Sequence, residues 1–78
     1  MKLSTLAARV FGVDAGTLSD DSTNRTTPNW DSARHIELLL TIEVAYEVQF
    51  SMAEISRMYS LGDMRAVLAE KGAVPLAA

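Results

Sequence analysis

From Asp31 to Val48 the chain carries a helical pattern that is apolar on two opposite sides. At about 100° per residue, His35, Leu38, Leu39, Ile42, Ala45 and Tyr46 fall in one arc. Ala33, Ile36, Glu37, Leu40, Glu43, Val44 and Glu47 fall in the other. An ordinary amphipathic helix has one apolar stripe and a polar back. A chain of 78 residues is near the lower limit for a self-sufficient core, and it can hardly bury so long a helix from both sides. The first arc is therefore expected to be the core side. The second, in which Ile36, Leu40 and Val44 follow one another by a turn among three glutamates, is expected to be a protein-docking face. The plainer reading is that these are scattered exposed aliphatics.

The rest of the chain reads as helices and one long connection. Leu3, Leu6, Ala7, Val10 and Phe11 recur at helical spacing with Lys2 and Arg9 on the wet side, and Gly12 ends that helix. Residues 13–30 are rich in Asp, Asn, Ser, Thr and Gly and read as loop, with Leu18 as its plug and Trp30 as its anchor at the far end. Trp30 is expected to pack against helix faces rather than to touch a ligand. The second helix is expected over Ser32 to Val48. Ser51 and Glu54 have the spacing of a capping box for a short helix reaching Met58 or Tyr59, and Ser60 and Asp63 repeat the pattern. They open a last helix with Leu61, Met64, Val67 and Leu68 on one face, closed by Gly72 and kept closed by Pro75. The methionines at 52, 58 and 64 read as adaptable core filler. The expected fold is all-α: a small four-helix bundle, three longer helices and one short, with a long loop between the first two. One domain spans residues 1–78, with a frayed tail from about residue 73.

Composition removes several function classes. With no cysteine and one histidine there is no disulfide framework and no metal site to expect. Neither a membrane span nor an export segment is evident, since Arg9 interrupts the early apolar run, so a soluble, cytoplasmic monomer is expected. Between Asp31 and Gln49 stand four acids and one base, while six acids balance six bases elsewhere. The whole net charge of −3 thus falls on the second helix. That location disfavours nucleic acid and a helix-turn-helix reading, and it favours partners with basic patches.

Ser32 stands where the polar loop meets this helix. With Asp31 as N-cap, Ser32 takes the first helical position and its hydroxyl points out of the helix mouth. The partial positive charge there would hold a phosphate favourably, so Ser32 is well placed to carry a phosphodiester. The bland alternative is a serine that only helps to cap. Ser32 and His35, three apart, also invite a nucleophile and base, but no elbow motif, orienting acid or pocket accompanies them. No catalytic residue is assigned. Asp31 and His35 are two ligands at most and do not make a metal site.

Trp30-Asp31-Ser32-Ala33, Ile36-Glu37-Leu38, Glu43, Tyr46, Phe50-Ser51 and Ser60-Leu61-Gly62-Asp63-Met64 together resemble the acyl carrier protein family, over about residues 3–71. The resemblance implies a discrete carrier that is not itself an enzyme, with 4′-phosphopantetheine esterified to Ser32 and Asp31 helping to position magnesium during loading. It implies as partners a phosphopantetheinyl transferase, an acyl-loading enzyme, and ketosynthase, condensation or acyltransferase enzymes, which would dock on Ala33, Ile36, Glu37, Leu40, Glu43, Val44 and Glu47. It also raises the idea that the methionine-lined core admits an acyl chain. The chain departs from the family at Trp30, usually glycine, at Ala33, usually leucine, and at Arg34 and Val44, usually polar or acidic. The tryptophan variant is similar to discrete carriers of specialised pathways, polyketide or nonribosomal peptide, and Arg34 and Val44 are expected to weaken recognition by strongly basic fatty-acid enzymes. The competing class is an unmodified helical adaptor using the same acidic and apolar face.

Overall fold

A computed structural model describes residues 2–73 of the chain. It holds four α-helices: α1 Leu3–Phe11, α2 Ser32–Tyr46, α3 Met52–Ile55 and α4 Leu61–Glu70. No strand occurs among the described residues. This is the all-α architecture of three longer helices and one short, with the long loop between α1 and α2. The expected tail at 74–78, with Pro75, lies outside the described residues; Ala73 does not fray, being buried with its N–H on the Leu68 carbonyl at 2.8 Å.

The core forms where the apolar stripes meet. Leu3, Leu6, Ala7, Val10 and Phe11 of α1 pack with Leu38, Leu39, Ile42 and Tyr46 of α2, and with Leu61, Met64, Val67 and Leu68 of α4. Met58 joins them from the segment after α3. Two residues leave the places expected for them. Ala45 is exposed, because it lies at the margin of the inner arc and the covered stripe of α2 is narrower than that arc. Met52, at the first position of α3, is 81% exposed and fills no core space.

The three longer helices end by one device. Gly12, Glu47 and Gly72 all have positive φ, and the next residue's N–H bonds five residues back, to Ala8, Glu43 and Leu68 respectively. This left-handed ending turns the chain sharply. At Glu47 it stops α2 before Val48, shorter than expected, and lets Val48 and Phe50 turn back against the core. The Glu43 carboxylate secures the reversal by accepting the Phe50 N–H at 2.9 Å. Helix α3 also stops early, at Ile55 instead of Met58 or Tyr59. There Arg57 and Met58 donate to carbonyls three residues back, and this tighter winding carries Met58 inward. Both capping boxes form, Ser51 with Glu54 and Ser60 with Asp63.

The long loop is built, not slack. Its first part winds into a 3₁₀ turn, Ala15–Thr17, capped by Asp14 accepting the Gly16 N–H at 2.9 Å. Leu18 packs against the core, and Ser22 and Thr27 are buried. The loop is then stitched to α4: Leu61 N–H reaches the Ser22 carbonyl at 3.2 Å and Gly62 N–H the Asp20 carbonyl at 2.9 Å. A Cβ on Gly62 would lie 2.9 Å from that same oxygen, so the close approach requires glycine.

The two sides of α2 should differ sharply in energy. Leu39 is 6% exposed and Leu40 57%. Leu39→Ala is expected to cost about 2–5 kcal/mol, and Leu40→Gln to stay within about 0.5 kcal/mol of wild type. Urea melts of the two variants measure this, and equal losses would refute a one-sided core.

Candidate functional site

Asp31 is in extended conformation, and its Oδ1 accepts the Arg34 N–H at 2.8 Å. It is the N-cap, and Ser32, at the first position of α2, is exposed. The stretch before it is held firmly. Trp30 is 4% exposed, and its ring stacks on Phe11 with centroids 4.7 Å apart and on His35 at 6.0 Å. Its indole N–H donates to His35 Nδ1 at 2.9 Å. Trp30 is thus a packing anchor, as its place in the sequence suggests.

Two further residues pin this junction to the end of α1. Asn29, at φ 67°, donates its side-chain amide to the Phe11 carbonyl at 2.8 Å. From the other side of the serine, the Arg34 guanidinium donates to the Val10 carbonyl. Both carbonyls belong to the last turn of α1, where helix geometry leaves them without partners of their own. Sequence reasoning gave neither residue this part. The only available signal was that asparagine tolerates the left-handed region better than most residues.

Ser32 lines a cleft together with Asn24, Trp30, Asp31, His35, Ile36 and Tyr59. Tyr59 is 71% exposed and Asn24 comes from the loop; neither was anticipated as a site residue. Running away from the cleft, Ala33, Ile36, Glu37, Leu40, Thr41, Val44 and Ala45 line a shallow apolar groove along the outer side of α2. Ile36, Leu40 and Val44 are 58, 57 and 81% exposed. The structure brings these residues onto one face with Ser32 at its end. It does not bring all the glutamates there equally: Glu37 lines the groove, Glu43 is half-buried and committed to Phe50, and Glu47 sits past the helix end.

The chemistry of His35 follows from its partner. An indole N–H only donates, so Nδ1 must carry a lone pair and the proton sits on Nε2. Burial lowers the pKa of His35 below the ordinary imidazole value. A general base for a serine needs the reverse, an acid orienting the ring and favouring its charged form. The arrangement therefore makes His35 a neutral structural acceptor.

The sign of the pH effect is fixed by that shift. The unfolded chain takes up the His35 proton near the ordinary value of about 6.5, whereas the folded chain resists it. The stability due to the neutral pair is present above that value and is lost as pH falls through the depressed folded pKa. Trp30 and His35 are the sole tryptophan and histidine of the chain, so fluorescence and thermal melts from pH 7.5 to 5.5 read the pair directly. Wild type should lose more stability over that range than His35→Asn, which keeps an acceptor but does not titrate. Identical pH slopes would refute it.

No protein-family model matches this sequence, and no curated protein does either. Among solved structures, a holo acyl carrier protein from Geobacter metallireducens, determined in solution by NMR, superimposes with a TM-score of 0.81 at 27% identity. The match covers 95% of this chain and 85% of that one. The resemblance to acyl carrier proteins carried by the motif therefore extends to the helical frame as a whole.

Proposed function

We propose that the chain is a carrier protein whose Ser32 holds a 4′-phosphopantetheine arm. One observation carries the reading: on an acyl carrier protein fold, an exposed serine occupies the first position of α2 behind an aspartate cap. The residues present suit the group. A phosphodiester at Ser32 would sit at the positive end of the α2 dipole, and the cleft between Trp30, His35, Ile36, Asn24 and Tyr59 gives the arm an apolar floor with polar edges. The arm, once attached, supplies a terminal thiol that holds acyl or aminoacyl groups as thioesters.

The protein's own part is presentation. Asp31 fixes the start of the helix, Trp30 packs the junction onto the core, and Ile36, Leu40 and Val44 offer partners an apolar strip one helical turn at a time. Attachment is a phosphoryl transfer from coenzyme A. The serine oxygen bonds the phosphorus next to pantetheine, the P–O bond to adenosine 3′,5′-bisphosphate breaks, and the serine proton passes to the transferase's base. Tethering then raises the effective concentration of cargo at each docked enzyme. Intact mass after incubation with a broad-specificity phosphopantetheinyl transferase and coenzyme A should rise by one phosphopantetheine for wild type and not at all for Ser32→Ala, which folds as before. Modification of Ser32→Ala would move the site elsewhere. An unmodified wild type would favour the adaptor reading.

The outer face also bears on the partners. Val44 is 81% exposed where a strongly basic docking patch would prefer an acid, and Glu43 is turned to structural use. These features support service in a specialised pathway, polyketide, nonribosomal or related, whose enzymes offer apolar rather than basic surfaces. With acyl-loaded protein, a housekeeping fatty-acid ketosynthase should elongate wild type poorly and Val44→Glu better. Efficient elongation of wild type with no gain in the variant would overturn this.

A further inference from the structure

Arg34 looks, from its place two residues after the serine, like a charge shown to partners. Its side chain is 49% exposed, yet its contacts give it a second use. The backbone N–H is bound by Asp31 Oδ1, the guanidinium donates to the Val10 carbonyl at the end of α1, and its Nε stands 3.9 Å from Glu37 Oε2. A cation against the last carbonyls of a helix meets the negative end of that helix's dipole and supplies the donor those carbonyls lack. On the far side of Ser32, Asn29 makes the same kind of bond to the next carbonyl, Phe11, at 2.8 Å. The serine is therefore flanked, three residues before and two after, by side chains anchored to adjacent carbonyls of α1.

We propose that Arg34 and Asn29 are positioning residues for Ser32: together they clamp the mouth of α2 to the C-terminal end of α1, so that the hydroxyl meets the loading enzyme in one fixed orientation. The proposal rests on the reading of Ser32 as the phosphopantetheine site. It assigns Arg34 to orientation, not to electrostatic docking, and the two roles have different kinetic consequences. A docking charge acts on encounter, so its loss raises KM in a salt-dependent way. A clamp acts on the population of aligned hydroxyl once the complex has formed, so its loss lowers kcat.

The test is steady-state loading of the folded chain by a phosphopantetheinyl transferase with coenzyme A, at two ionic strengths, with circular dichroism confirming the fold of each variant. Arg34→Gln, too short to reach Val10, is expected to lower kcat about 3–10-fold, with KM within about twofold of wild type and its salt dependence unchanged. Arg34→Lys keeps one donor and should recover most of kcat. Asn29→Gly keeps the left-handed backbone, removes the amide donor and changes no charge, yet it should lower kcat to a similar degree and speed amide hydrogen exchange in the first turn of α2, as Arg34→Gln should. A salt-dependent rise in KM with unchanged kcat for Arg34→Gln, or an Asn29→Gly protein loaded at the wild-type rate, overturns the clamp while leaving Ser32 as the site. A wild-type chain that gains no mass overturns the carrier reading and the clamp with it.

Discussion

The burial of Trp30 is the constraint on which the rest of the arrangement depends. A ring of that size at the end of a polar loop must find an apolar bed, and it finds one on Phe11, at the close of α1. Its one polar atom must also be satisfied, and His35, one turn into α2, satisfies it. These two requirements bring the end of the first helix, the end of the loop and the start of the second helix to one point. Asn29 and Arg34 tie the backbone where the ring has placed it, and Ser32, at the first position of α2, stands at the surface.

The two sides of α2 are accordingly unlike. The inner stripe of α2 is narrow, limited to Leu38, Leu39, Ile42 and Tyr46, and α1 covers it. The outer aliphatics occupy consecutive turns of α2. On the carrier reading proposed above, a shallow strip without deep pockets suits contacts that are made and released many times.

Much of this was legible in the sequence, and the failures have physical causes. Period, caps and glycines gave the helices, because Gly12, Gly72 and the two capping boxes are local signals. The end of α2 was not legible, since its left-handed residue is Glu47, a residue with no preference for that conformation. The end of α3 is not marked in the sequence, since the tightening around Ser56 and Arg57 goes with the burial of Met58, a tertiary effect. Ala45 failed at the margin of an arc, where helical phase cannot tell covered from bare. At the site, the helix mouth at Asp31 and Ser32 and the outer aliphatic strip show in the spacing, and the weight placed on Ser32 comes from the family resemblance. Asn24 and Tyr59 line the cleft from the loop and from just before α4, which spacing does not bring together. Arg34 reads in sequence only as a charge beside the serine; its half-exposed side chain also donates to the Val10 carbonyl, a contact between distant positions that no local pattern signals.

The loop between α1 and α2 shows the same economy on a longer scale. From Ser19 to Thr26 its hydroxyls close turns on neighbouring amides, and its carbonyls at Asp20 and Ser22 receive the first amides of α4. Loops ordinarily absorb insertions readily; here an added or deleted residue would break particular bonds instead of slackening a tether, so the reach from the glycine stop of α1 to the serine is held at one length.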